Sequence, residues 1–283
     1  MRCALVLGVL ALAPLPARSH PGVGIVMDSR GEVFYTDLKQ VWRIARDGTR
    51  SVAVPHVHTH ELCLDPQDNL YGEHLWYEGE ATDRWGYRVW RRSPEGTLID
   101  VIPAHEGFRT DYSFVRDAAG AMYWADRGAR IVIRKKTVDG RVSDVCPGCR
   151  FQDVMWMTAA PDGTVFLEDG ADLVRIRPDG KRFAIAPGLA ARKATQVQVG
   201  DRHRLMGLWL DRLGSVYVAS YGSREVKKVA PDGSVSVAAH SSWPWSPTGG
   251  LVSPDGDLWL LEYSFTGAAR VRHILKDGSS RSY

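Results

Sequence analysis

Cysteine is scarce in this chain, with four in 283 residues, and Cys3 lies just before the N-terminal apolar run. Of the other three, Cys146-Pro-Gly-Cys149 is followed by Arg150, where a haem-attachment motif carries histidine, so no haem is expected. No second pair exists to build a zinc knuckle. In an oxidising compartment the pair closes a small disulfide and leaves Cys63 a buried thiol; idle thiols, or a redox or metal role, are the alternatives. An excess of charge is also missing. The formal net charge is +3, from 36 basic and 33 acidic residues, so no nucleic-acid or other polyanion partner is expected. Absent too are a Gly-x-Ser-x-Gly elbow, a phosphate loop, a His-Glu-x-x-His helix and a dinucleotide fingerprint, which sets aside serine nucleophiles and nucleotide cofactors.

Long apolar runs are missing after the N-terminus. There, Met1-Arg2-Cys3, an apolar stretch over residues 4–13 and the small pair Ala17 and Ser19 read as a signal peptide over residues 1–19. The run is short of the roughly 20 residues that a membrane anchor, the alternative, needs. Cleavage before His20 removes Arg2 and Arg18 and leaves 34 basic against 33 acidic residues, a formal charge of +1. The expected product is a secreted or periplasmic monomer with no membrane span, folded as one domain over residues 20–283.

What the chain has is repetition. A turn glycine, or an aspartate in its place, falls at Gly31, Asp68, Gly120, Gly163, Gly214 and Gly256. A short apolar strand precedes each, and an aromatic-rich one such as Met122-Tyr123-Trp124 or Leu258-Trp259-Leu260 follows. A second turn closes each unit at Asp47-Gly48, Glu95-Gly96, Asp139-Gly140, Asp179-Gly180, Asp232-Gly233 and Asp277-Gly278. Six units of four short antiparallel strands predict an all-β, six-bladed β-propeller, with units near residues 20–56, 57–108, 109–151, 152–202, 203–244 and 245–283. The last unit has little chain for a fourth strand after Ser279, so the ring is expected to close by lateral packing of its first and last blades.

The stretch from Gly207 to Val218, with Pro231-Asp232-Gly233, resembles the NHL-repeat and gluconolactonase-like propellers, a superfamily that includes streptogramin lyases and the lyase of peptide amidation. The resemblance spans the chain after residue 19 and implies the fold, with lactonases, lyases and binding modules all within its range. Gluconolactonase-like members place carboxylate and amide metal ligands at the ring occupied here by Val23, His60, Tyr112, Met155, Met206 and Thr248, which offers no Asp, Glu or Asn for a calcium-type site. The lyases resemble this chain better, using histidine at the place matched by His60.

In such a unit, the residues before each first strand and after each second strand share one face, the channel mouth. The long connections at 75–87, 104–111, 189–204 and 241–247 all fall there, as loops that carry function do. The segment Val57-His58-Thr59-His60-Glu61, with Glu73-His74, puts its chemistry at that mouth. Residues i and i+2 of an extended segment point the same way, so His58 and His60 are expected to converge, with His74 and His203 and also the chelating N-terminus at His20 as further ligands of a zinc, nickel or copper ion. Hydrogen-bonded channel histidines are the alternative. Glu61 is the candidate acid or base, unless it is only paired with Arg109; Arg109 and Tyr112 are the candidate holders of a carboxylate or oxyanion. Glu73, Trp156, Met206 and Trp245 are expected to touch substrate, with Trp76, Tyr77, Trp85 and Trp243 as flat apolar walls. The function expected is metal-assisted hydrolysis or elimination on a small polar organic substrate, the alternative being a non-catalytic ligand-, copper- or protein-binding propeller.

Overall fold

Each repeat builds a hairpin for a stated local reason. In the first turn of a unit, an aspartate such as Asp28 or Asp65 accepts backbone amides across the turn, from Arg30 and Glu32 or from Gln67 and Asn69. The turn then needs a residue at positive φ. Glycine takes this place in five units and Asp68 takes it in the second, at φ 60°. The computed structural model describes residues 21–190 and 204–283.

Strands β1 to β23 form six antiparallel sheets around a central channel. Blade one is β1–β4 (Ile25–Met27, Val33–Thr36, Val41–Ile44, Arg50–Val54), and blade two is β5–β8 (Leu62–Leu64, Leu70–Tyr77, Trp85–Arg92, Leu98–Glu106). Blade three is β9–β11 (Met122–Arg127, Ile131–Lys136, Val142–Asp144). Blades four to six are β12–β15 (Val154–Ala159, Val165–Asp169, Asp172–Ile176, Arg182–Ala186), β16–β19 (Leu208–Leu210, Val216–Ser220, Glu225–Val229, Val235–His240) and β20–β23 (Trp245–Val252, Leu258–Ser264, Ala269–Ile274, Ser280–Ser282). The expected propeller is therefore what the chain forms, with one departure. In blade three the innermost strand is reduced to a single bridge between Arg116 and Met122. The Arg116 guanidinium donates to the Ser113 and Val115 carbonyls, and the Ser113 amide meets the Met122 sulfur, so side chains occupy groups that a ladder would use.

Second strands are the buried heart of each blade: β2, β13 and β17 have no exposed residue. Side chains from adjacent blades interleave between them, and the first and last blades do the same. Ile25, Val33, Tyr35 and Ile44 pack with Trp259, Leu261, Tyr263 and Val271, while the Tyr263 hydroxyl donates to the Thr36 carbonyl at 2.9 Å. The short β23 does form, and Tyr283 pairs with Val271 beyond it. Closure is thus lateral, by apolar packing.

Around the channel, the innermost segments of blades five, six, one and two touch backbone to backbone. Gly207 N–H donates to the Thr248 carbonyl at 2.9 Å, and the Val23 and Gly24 amides both donate to the His60 carbonyl at 2.8 Å. This approach requires glycine. A Cβ at Gly249 would stand 2.2 Å from the Val23 carbonyl oxygen, a backbone atom with nowhere to go. We expect Gly249→Ala to lower stability by about 3 kcal/mol, whereas Gly128→Ala, where a Cβ meets nothing nearer than 4.0 Å, leaves it nearly unchanged. Urea denaturation of the two variants checks this.

Candidate functional site

The mouth of blade two is built on a buried carboxylate. Glu73 lies on β6 with its side chain 2% exposed. Its Oε1 accepts the His60 amide at 2.7 Å and the Glu61 amide at 3.4 Å, and its Oε2 lies 3.3 Å from Arg109. Its own carbonyl is held by the Trp90 indole N–H at 2.9 Å and by the Thr59 hydroxyl. Gly72 makes the indole contact possible, because a Cβ there would meet the Trp90 ring at 2.3 Å. The Thr59 carbonyl in turn accepts the Thr36 hydroxyl at 2.6 Å.

His60 is consequently fixed at both ends of its peptide, its amide on Glu73 and its carbonyl under two amides of blade one. Its ring Nδ1 faces Glu73 Oε1 at 3.8 Å, an electrostatic contact longer than a hydrogen bond. The His58 ring meets it edge to face, centroids 4.7 Å apart. Arg109 spans both carboxylates, with Glu61 Oε2 at 3.4 Å. Burial works against the Arg109 charge, but Glu73 and then Glu61 outweigh it and hold the guanidinium above its ordinary value. Glu61 is also a wall of the central channel, a cavity of about 300 Å3 lined chiefly by the first strands, with Arg116 the other charged residue on it.

His58, His60 and His74 do come together as expected, while His20 and His203 lie outside the described residues. The His74 Nδ1 accepts the His58 amide at 2.9 Å, and its ring stacks on Trp76. Among the described residues, no group of three or more His, Cys, Asp or Glu side chains is arranged to hold a metal ion. His74 Nδ1 is spent on a backbone amide and His60 Nδ1 faces a carboxylate, so the described histidines are not arranged as a set of three around one zinc, nickel or copper ion, and no step is derived through one.

Burial, then Arg88, then His58 hold the His74 pKa below the ordinary histidine value. An unfolded His74 binds a proton near pH 6.5, before the folded one does, so its contribution is present above that pH and lost as pH falls through the folded pKa. His74→Gln is expected to flatten this acid-side loss of thermal stability, measured by melting over a pH series.

The remaining sequence expectations divide. Glu73 is a buried scaffold carboxylate instead of a substrate contact, because four protein groups already surround it. Met206 is fully buried among Trp209, Tyr217 and Tyr221 and exposes nothing to a ligand. Trp245 carries the Arg270 guanidinium at 4.3 Å from its ring centre, and Arg270 in turn pairs with buried Glu262. Tyr112 packs edge-on against Phe114 beside Cys63, between blades two and three. Burial pushes both the Tyr112 phenol and the Cys63 thiol up to about 12, so both stay protonated at neutral pH. Trp156 does line the channel. The aromatic wall is present at the mouth: Tyr77 stacks on Trp85, Trp85 packs on Phe108, and Trp243 stacks on Phe265, all of them exposed. Cys146 and Cys149 are joined as a disulfide.

Other blades spend their mouth carboxylates on structure. Asp37 accepts the Lys39 and Gln40 amides and the Trp42 indole, Asp169 the Gln152 and Asp153 amides and Arg182, and Glu262 the Ser241 hydroxyl and two arginines. Among the described residues, only the second blade joins such a mouth carboxylate to a histidine.

No protein-family model matches the chain, and no curated protein matches it. Solved structures do. A catalytically inactive histidine-to-alanine virginiamycin B lyase from Staphylococcus aureus, with Quinupristin, aligns at TM-score 0.54 and 12% identity over 95% of this chain and 86% of that one. A gluconolactonase from Xanthomonas campestris aligns at 0.56 and 15% over 84% and 81%, and a calcium-binding protein, regucalcin, from Agrobacterium tumefaciens at 0.56 and 15% over 85% and 81%. The chain therefore has the propeller fold of streptogramin lyases and gluconolactonase-like proteins.

Proposed function

We propose that the protein is an exported enzyme that opens small polar esters or lactones by acid–base chemistry at the blade-two mouth, as a hydrolase or lyase. The observation that carries this reading is the clamped His60 facing buried Glu73, beside Glu61 on the channel wall. Lyases and lactonases among the solved propellers support the class of reaction. The apolar start of the sequence and the Cys146–Cys149 disulfide support export.

With Nδ1 turned to Glu73, Nε2 of His60 is the atom that takes a proton. In hydrolysis the proton comes from water, the water oxygen bonds to the acyl carbon, and the acyl C–O bond breaks. The imidazolium then returns its proton to the leaving oxygen. In elimination the proton comes from a carbon beside a carbonyl; a C=C bond forms and the C–O bond breaks, the electron pair leaving with the oxygen. In either case Glu73 stabilises the imidazolium electrostatically, and Arg109 stabilises negative charge gathering near the two carboxylates. The stacked aromatics hold the apolar part of the substrate.

The experiment is ring opening of gluconolactone and of virginiamycin B or Quinupristin by the wild type in 18O-labelled water. Hydrolysis places label in the product, and elimination gives an unlabelled alkene. Absence of turnover on lactones and cyclic esters alike rejects the reading.

A further inference from the structure

The hairpin of β6 and β7 stands higher at the mouth than its neighbour in blade one, with eight residues in β6 against four in β2. Its pairing runs without a bulge from Leu70 and Arg92 to Tyr77 and Trp85, so side chains alternate strictly between its faces. Leu75, Tyr77, Trp85 and Tyr87 share one face, where Leu75 and Tyr87 pack with Phe114 of blade three. The other face carries His74, Trp76 and Arg88, with Gly86 directly opposite Trp76.

On that second face the Trp76 indole lies flat across Gly86. A Cβ at Gly86 would stand 2.0 Å from Cζ2 and 2.2 Å from Cε2 of the ring, so glycine is what lets the indole lie down. Backbone thus covers one side of the ring. Among the described residues, Trp76 belongs to none of the apolar clusters between blades, and it is partly exposed. An unbroken line of contacts leads from it to the proposed proton carrier: its ring stacks on His74, His74 Nδ1 accepts the His58 amide, and the His58 ring meets the His60 ring. A substrate whose ester lies at His60 can therefore lay its far end on Trp76.

The chemistry of this face selects that far end. A sugar ring needs donors and acceptors around its edge, and the polar groups here are already committed, Arg88 Nη1 to Asp100 at 2.6 Å and His74 Nδ1 to the His58 amide at 2.9 Å. An aromatic ring needs only a flat partner, which the indole supplies. We propose that Trp76, laid on Gly86, is the specificity-determining residue of the blade-two site and stacks an aromatic ring tethered to the ester or lactone that is opened. The inference rests on the reading of that site as an ester- or lactone-opening enzyme and names its substrate class.

The test compares flat and puckered rings of one size. Acetates of phenylalkanols and methyl esters of phenylalkanoic acids, with tethers of one to three methylenes, are each set beside the cyclohexyl counterpart of similar intrinsic reactivity. The wild type is expected to prefer the phenyl member of at least one pair by about three- to tenfold in kcat/KM, through KM. Trp76→Leu is expected to bring that ratio to about one while keeping kcat on the cyclohexyl ester. Gly86→Ala, which lifts the indole but removes no side chain, is expected to do the same, and Trp76→Phe to keep part of the preference. Binding is read separately from turnover. Titrating 2-phenylethanol into 15N-labelled protein should move the indole N–H resonance that Trp76→Leu lacks, and 2-cyclohexylethanol should need about three- to tenfold more. That shift in a protein that opens no ester would reject the enzyme reading while keeping Trp76 as an aromatic site. Equal use of both rings by an active wild type, a preference that survives Trp76→Leu, or a Trp76 resonance that 2-phenylethanol does not move overturns the proposal.

Discussion

Glu73→Ala is expected to unfold at a markedly lower urea concentration than the wild type, with a loss of about 3–5 kcal/mol. The substitution leaves the His60 and Glu61 amides without their acceptor and Arg109, 19% exposed, with Glu61 as the remaining carboxylate of its pair. Breaking one side of a buried pair costs more than the pair contributed, because the orphaned charge stays in place. Domains are stable by only about 5–15 kcal/mol, so this is a large fraction of the whole. Glu73→Gln keeps an acceptor for the His60 amide and should lose less than half as much. Equal urea midpoints for Glu73→Ala and wild type would show that Glu73 is not the keystone of the mouth.

His60→Ala is expected to do the reverse, leaving stability close to wild type and lowering kcat about 10³-fold on any substrate that the wild type opens. The His60 backbone bonds survive truncation, since its amide and carbonyl do the clamping. What is lost is the proton carrier. His58→Ala, which removes only the edge-to-face neighbour, should act on KM more than on kcat. A His60→Ala enzyme with wild-type kcat would move the chemistry elsewhere on the mouth.

The fold was legible because its demands are local. A turn with positive φ writes glycine into the sequence, or Asp68 in the one case, at every unit, and buried second strands write aromatic and branched residues after it. The histidine cluster was legible for the same reason, being a matter of i, i+2 alternation and one hairpin. The roles of single carboxylates were not. Glu61 and Glu73 look alike in sequence, yet one lines the channel and the other is sealed beneath Trp90 and Arg109, a difference made by residues far along the chain. Met206 was misread for the same reason, since burial among Trp209, Tyr217 and Tyr221 depends on packing between blades. Glu168 directly follows the run Val165-Phe166-Leu167, and that it is buried on a fully buried strand only the structure reveals. The missing inner strand of blade three traces to Arg116 folding back on its own backbone, which no periodicity signals.

The central claim is that the His60 imidazole moves the proton. Its most direct test is chemical rescue: kcat of His60→Ala with free imidazole added over a range of concentrations, on a lactone or cyclic ester that the wild type opens. The account predicts a rate that rises with imidazole towards the wild-type value and follows the concentration of the neutral form. A His60→Ala rate that imidazole does not change, or one already equal to wild type without it, would contradict the account.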